Sequence, residues 1–226
     1  TAILDDLKKT ILHLKWMPVG TEWGDYYDRT NYTSKAFNWK KNLVNAWVQL
    51  VHPNLVWDLG ANTGVFSREA LSSGAYLVAW DMDPAAVDLN WQKVQAGKET
   101  NLLPLLLDLT NPSPGLGWNH QERDSFSARG PVDLVMALGL VHHLAISNNL
   151  PLDRIAAAMA GWGKWLIVEF IPKSDSQVQK LLRSRKDIFS AYTQAGFEAA
   201  FTQHYLIHQA QPLPESERWM YLMEAL

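Results

Sequence analysis

Two hydrophobic rhythms alternate along the chain. Continuous apolar runs at 55–59, 76–80, 102–107, 132–138 and 165–170 read as strands buried on both faces. Between them lie segments whose apolar residues recur at helical spacing. Residues 1–16 line up Ile3, Leu4, Leu7, Ile11 and Leu14, with Asp5 and Asp6 early and Lys8, Lys9 and Lys15 late. That charge order suits the helix dipole, and Pro18 and Gly20 end the segment. Residues 34–50 predict a helix with Phe37, Leu43, Val44, Trp47 and Leu50 as its buried stripe. Lys40 and Lys41 then fall on a solvated face, with Lys40 in reach of a pocket. Further helices are expected at 65–72, 85–95, 120–128, 151–160, 176–182 and 188–195. Pro84 fits the first turn of the second of these, and Gly196 reads as the stop of the last. Residues 197–208 and 218–224 read as two closing strands joined by the Pro-rich loop 211–216.

Alternating strands and helices predict a parallel sheet with helices on both faces. The expected fold is α/β, a Rossmann-like three-layer sandwich. Its seven-stranded, mostly parallel sheet closes with a C-terminal antiparallel hairpin, and only the strand near 218–224 runs against the rest. Residues 1–34 are expected to form a helix and a lid segment, and residues 35–226 one binding domain.

The candidate chemistry collects at the strand ends. Asp58-Leu59-Gly60-Ala61-Asn62-Thr63-Gly64 joins the first strand to a helix. Glycine lets backbone approach a ligand there, at the carboxyl end of a central strand, where open α/β sheets bind ligands. Asn62 occupies the second glycine position of a pyrophosphate-binding G-x-G-x-x-G, the third is not glycine either, and no Gly-Lys-Ser/Thr follows. The turn therefore suits a nucleoside with an amino-acid tail. Asp81 stands 21 residues after Gly60, at the end of the second strand. It can accept both hydroxyls of a ribose, leaving Asp83 to cap the next helix. Asp108 closes the third strand, where a carboxylate can accept from an adenine amino group.

The fourth strand delivers His142 and His143 to the same rim. Adjacent side chains diverge and no further ligand follows at metal-binding spacing, so no metal is expected. One histidine should pack or cap while the other serves the pocket as base or donor. Glu169, near the end of the fifth strand, and Tyr32 stand behind them. The aromatic, polar stretch 22–33 is either a loop packed on the sheet or a lid over the ligand.

Composition narrows the partners. With 226 residues, a net charge of −3 and a pI near 6.1, bulk electrostatics give no reason to expect nucleic acid. The chain has no cysteine, which removes disulfides, a thiol nucleophile and Cys-based zinc, and fits a cytoplasmic setting. No apolar run approaches the about 20 residues of a membrane span, so no membrane is expected. The first residue is Thr1 rather than Met, as in a trimmed chain or a fragment.

Asp58 to Gly64 resembles the first motif of the class I S-adenosylmethionine-dependent methyltransferases. Asp81 matches their ribose-binding acid, Asp108-Leu109 their adenine-side residues and His142-His143-Leu144 their signature after the fourth strand. More narrowly, Asn31-Tyr32-Thr33 and the stretches 107–114 and 169–175 are similar to a bacterial group related to the nodulation protein NoeA. Members of that group are often longer at the N terminus, which would make this chain a C-terminal portion. The resemblance covers residues 35–226. It implies S-adenosylmethionine as cofactor, held by Asp58, Gly60, Ala61, Asn62, Gly64, Asp81, Met82, Asp108, Leu109, Leu138 and Tyr32. It implies catalysis by His142, His143 and Glu169 on an acceptor it does not identify: a small molecule, a carbohydrate or a protein. G-x-N-x-G departs from the commoner G-x-G-x-G but occurs in related enzymes. Two rivals stand beside this reading. An NAD-dependent oxidoreductase also places an acid about 20 residues past a glycine turn, although the missing third glycine, Asp58, Asp108 and the closing hairpin favour the methyltransferase. The other is a non-catalytic module that binds S-adenosylmethionine.

Overall fold

The computed structural model describes residues 2–14, 16 and 32–226. Five strands, β1 (Leu55–Leu59), β2 (Tyr76–Asp81), β3 (Leu102–Leu106), β4 (Val132–Ala137) and β5 (Gly163–Phe170), lie parallel. Two more, β6 (Tyr205–Pro212) and β7 (Trp219–Ala225), form a hairpin. The sheet order is β3-β2-β1-β4-β5-β7-β6, with β7 antiparallel to both neighbours. This is the seven-stranded mixed sheet expected from the sequence. It differs from the all-parallel six-stranded sheet of a dinucleotide-binding dehydrogenase.

Period-two alternation sends apolar side chains to both faces. Val56, Leu134, Met136, Ile167, Met220 and Leu222 pack under α2 (Ser34–Val51), α3 (Val65–Ala70) and α4 (Pro84–Gly97). Their strand neighbours Trp57, Val135, Ala137, Leu166, Val168 and Tyr221 pack under α5 (Leu152–Trp162), α6 (Ser176–Leu182) and α7 (Gln194–Phe201). Three helices a side make the three layers. Ahead of them, α1 (Ala2–His13) buries none of its residues; Leu7 and Ile11 are more than half exposed. The lid stretch Trp23 to Asn31 falls outside the described residues. Thr33 and Asp83 cap α2 and α4, and Asp175 caps α6, each accepting a backbone N–H two or three residues on.

Four local expectations fail, each for a visible reason. Residues 120–128 form no α-helix, only the ends of single 3-10 turns at Trp118–His120 and Ser127–Arg129: Asn119 and His120 both have positive φ, and a bridge joins Leu116 to Arg123. The helix expected at 188–195 lies later, at α7, and takes the start of the stretch read as strand 197–208. Thr193 caps it by accepting from Gly196 N, and Phe197, Ala200 and Phe201 form its buried stripe. Gly196 sits inside its first turn rather than ending a helix, because a Cβ there would stand 2.1 Å from the Ala191 carbonyl oxygen. On α2 the buried stripe is Ala36, Lys40, Val44, Trp47 and Val48, while Leu50 is exposed. Lys40 is thus interior rather than solvated, for a reason that lies in the site.

Candidate active site

The carboxyl ends of the parallel strands form one rim, because Leu59 pairs with Trp80, Asp81 with Leu106 and Ala137 with Val168. An antiparallel β7 brings its amino end to that same rim: Trp219 pairs with Phe170, so Arg218 arrives beside the end of β5.

At the centre is the glycine turn. Gly60, Asn62 and Gly64 all have φ between +51° and +74°, the left-handed region that glycine and asparagine tolerate best. Gly60 N and Ala61 N both donate to the Trp80 carbonyl, at 2.8 and 3.0 Å, which ties the turn to β2. A Cβ on Gly64 would meet the Asn90 amide at 2.4 Å. Arg68, which the sequence reading passed over, fixes the turn from behind. Its Nη1 donates to the carbonyls of Thr63 and Gly64 at 3.2 and 2.9 Å, while Nε and Nη2 grip Glu99 at 2.9 and 2.7 Å.

The acids take distinct places. Asp58 lies beneath the turn and accepts from Ser67 Oγ at 2.6 Å; burial pushes its carboxyl up to about 7. Asp81 is almost buried at the rim. One oxygen accepts from Asn62 N at 2.7 Å and the other from Asp83 N at 2.9 Å, and burial raises its pKa above the ordinary value. The Met82 amide also bonds this carboxylate, and since an ionised carboxylate offers about four acceptor sites, capacity for a further donor remains. Met82 beside it is exposed. Asp108 closes a local turn on Thr110, accepting from its N and Oγ1 at 2.8 and 2.7 Å. Leu109 and Leu138 are half-buried, Leu109 against the core under α5, α6 and α7 and Leu138 against that under α2, α3 and α4.

The histidines do not diverge as expected. A helical turn follows Gly139, with His143 N donating to the Leu140 carbonyl, and the two imidazole rings lie 4.0 Å apart. Both are neutral: burial holds His142 well below the ordinary histidine value and His143 at about 4. His142 Nδ1 is buried without a hydrogen-bond partner among the described residues.

Glu169 is wholly buried and lies on the α2 face of β5, as Ile167 does two residues earlier. Lys40 Nζ meets one carboxylate oxygen at 2.7 Å, and the Tyr32 hydroxyl donates to the other at 2.7 Å. Arg218 Nη1 stands 3.6 Å from that second oxygen while its Nε bonds Asp175 at 2.8 Å. Lys40 also donates to the Tyr32 hydroxyl at 3.0 Å and lies 4.4 Å from the Phe66 ring, and the Arg218 guanidinium lies 4.3 Å from the Tyr32 ring. Despite burial, the two cations hold Glu169 below the usual carboxylate range. A carboxylate locked this way is a poor proton acceptor, so the structure sets Glu169 apart from the histidines. It brings Tyr32, Glu169, His142 and His143 to one rim, and adds Lys40, Arg218 and Arg68. The signal for Lys40 was its place at i+4 from Ala36 and i−4 from Val44 in one buried stripe; that for Arg218 was its place at the amino end of a strand expected to run antiparallel.

No family model matches the chain. It is 39% identical over 227 residues to the nodulation protein NoeA of Rhizobium meliloti strain 1021, an alignment that takes in 99% of this chain and 47% of that protein. The chain thus spans about half the length of the curated relative it matches. Among solved structures it is similar to magnesium protoporphyrin IX methyltransferase from Synechocystis PCC 6803 with bound S-adenosylhomocysteine, with a TM-score of 0.59 and 17% identity over 84% of each chain. It is similar to WbdD, with a TM-score of 0.53 and 16% identity over 96% of this chain and 46% of that one. The methyltransferase domain of a bacterial Hen1 protein matches with a TM-score of 0.58 and 14% identity over 84% of this chain and 98% of that one.

Proposed function

The chain has the class I methyltransferase fold and is a relative of the nodulation protein NoeA, and from that premise we propose that it transfers the methyl group of S-adenosylmethionine to an acceptor. The observation that carries the reading is the rim itself: a left-handed glycine turn after β1, an acid with spare lone pairs at the end of β2, and an antiparallel β7 beyond β5. Bound there, S-adenosylmethionine supplies an already activated methyl on a sulfonium, so the protein's work is binding, orientation and exclusion of water.

The residues present fit that group. Asp81, oriented by Asn62 N and Asp83 N, faces the rim with acceptor capacity for a ribose hydroxyl. Met82, Leu109 and Leu138 offer apolar surface for a base, with Asp108 at its edge. Gly60, Ala61, Asn62 and Gly64 bring backbone close to the ligand's chain, and Asp58, tied to Ser67 Oγ, braces the turn. Tyr32 and the Lys40–Glu169 pair form the wall beside the methionine end.

His142 and His143 are the residues for an acceptor proton. Both are neutral and need no prior deprotonation, but a nitrogen at about 4 is a weak base. It can accept a proton only as the acceptor's heteroatom loses electron density to the new bond. The rim therefore suits a nucleophile that is competent while still protonated, with Glu169 a fixed charge rather than a base. Incubating the protein with methyl-labelled S-adenosylmethionine and fractionated cell extract tests the reading. Label should enter one fraction with the wild type and not with Asp81→Ala, and absence of transfer to any fraction would favour the non-catalytic module.

A further inference from the structure

Next to the Glu169 network lies a cleft of about 210 Å³. Tyr32 and Arg218 belong to both, so the network is the inner wall of the cleft. The outer wall is the turn 213–218 between β6 and β7, and the amino end of α2 and the turn after β5 close the sides.

Its chemistry is uniform. Tyr32, Thr33, Ser174 and Ser216 supply hydroxyls, Asp175, Glu215 and Glu217 supply carboxylates, and Ala36 contributes only a methyl. Two hydroxyl–carboxylate pairs stand among them. Thr33 Oγ1 donates to Glu215 at 2.7 Å, and Ser174 Oγ donates to Glu217. Two of the three carboxylates also have a cation: Arg218 on Asp175 at 2.8 Å and Lys35 on Glu215 at 3.2 Å. Glu215 holds φ at +58°, a conformation that non-glycine residues keep only where the surroundings enforce it and that concentrates at functional sites.

We propose that this cleft is the acceptor subsite and that it takes a neutral polyhydroxylated ring, a sugar. The inference rests on the methyltransferase reading, since it makes the cleft the acceptor side of that site. A sugar hydroxyl donates and accepts at once, so it can enter between Thr33 and Glu215, or between Ser174 and Glu217, and leave every partner satisfied. An apolar acceptor would take water from these hydroxyls and carboxylates and offer no hydrogen bond in its place. An anion would meet three carboxylates, with Arg218 already engaged by Asp175 and Glu169. A cationic amine is the rival, but Lys35 and Arg218 already compensate two of the three acids. The position is right for transfer: Glu169 separates the cleft from Gly139, where an added Cβ would stand 3.7 Å from Glu169 Oε2, and Gly139 opens the turn carrying His142 and His143.

Saturation-transfer NMR on the full chain tests the cleft with the methyl glycosides of glucose, mannose and galactose, against spermidine and inorganic phosphate. At least one glycoside should bind at millimolar concentration, and Glu217→Gln and Ser174→Ala should each weaken it fivefold or more. Binding of spermidine or phosphate without any glycoside overturns the proposal, as does glycoside affinity that neither substitution changes. A separate titration with S-adenosylmethionine tells the two readings apart. Failure of cofactor binding with glycoside binding intact refutes the methyltransferase reading and the acceptor role; cofactor binding with no glycoside binding refutes the sugar alone.

Discussion

Replacing Lys40 with methionine should unfold the protein far more easily than any surface change. Lys40 and Glu169 meet at 2.7 Å with 2% and 0% of their side chains exposed, so water screens neither. At an effective dielectric of about 20, a pair at that distance attracts by about 6 kcal/mol. Most of that offsets the desolvation of the two charges, and removing one partner leaves the other buried and uncompensated, typically at a cost of about 3–5 kcal/mol. Arg218, 3.6 Å from the other carboxylate oxygen, and the Tyr32 hydroxyl remain. They place Lys40→Met near the lower end, about 3 kcal/mol. Equilibrium urea unfolding at pH 7 measures it. The double variant Lys40→Met/Glu169→Gln should recover at least half the loss, since no buried charge is left without its partner. A single variant within about 1 kcal/mol of wild type, or a double variant no better than the single, would refute the reasoning and show that water reaches the pair.

Asp81→Ala should weaken S-adenosylmethionine binding by about 1.5–3 kcal/mol, the scale of hydrogen bonds to a charged group; unchanged affinity would leave Asp81 only the task of joining Asn62 to Asp83. The Asp58 carboxyl, raised from 3.8 to about 7, stays protonated in the folded chain where the unfolded chain has already ionised, so its contribution to stability is lost as pH rises through 7. Asp58→Asn should therefore flatten the fall in melting temperature between about pH 4.5 and 7, the interval between the two values, and an identical pH slope in both proteins would contradict that. With His143 held at about 4 rather than 6.5, turnover of an identified acceptor should stay level down to about pH 5; an acid limb near 6.5 that vanishes in His143→Ala would show an ordinary, solvated imidazole. Full turnover in both His142→Ala and His143→Ala would reduce catalysis to positioning alone.

The sheet was legible because its strands are apolar on both faces and separated by helical spacing, a pattern that admits few topologies. The glycine turn and Asp81 were legible because backbone conformation and strand ends constrain residue type. Lys40 was not, since a lysine is counted as solvated unless its carboxylate partner is known, and Glu169 lies 129 residues away. Arg218 depended on the direction of β7. Gly196 misled because a glycine that admits a neighbouring carbonyl looks, in sequence, like one that ends a helix. His142 and His143 were read as diverging, as neighbours on an extended strand would, whereas they sit on a helical turn with their rings in contact.

Calorimetric titration of the wild-type protein with S-adenosylmethionine, S-adenosylhomocysteine and NAD tests the central claim most directly. The account predicts one site that binds both sulfur ligands and not NAD, with affinity that falls in Asp81→Ala. Binding of NAD, or of none of the three, would contradict it.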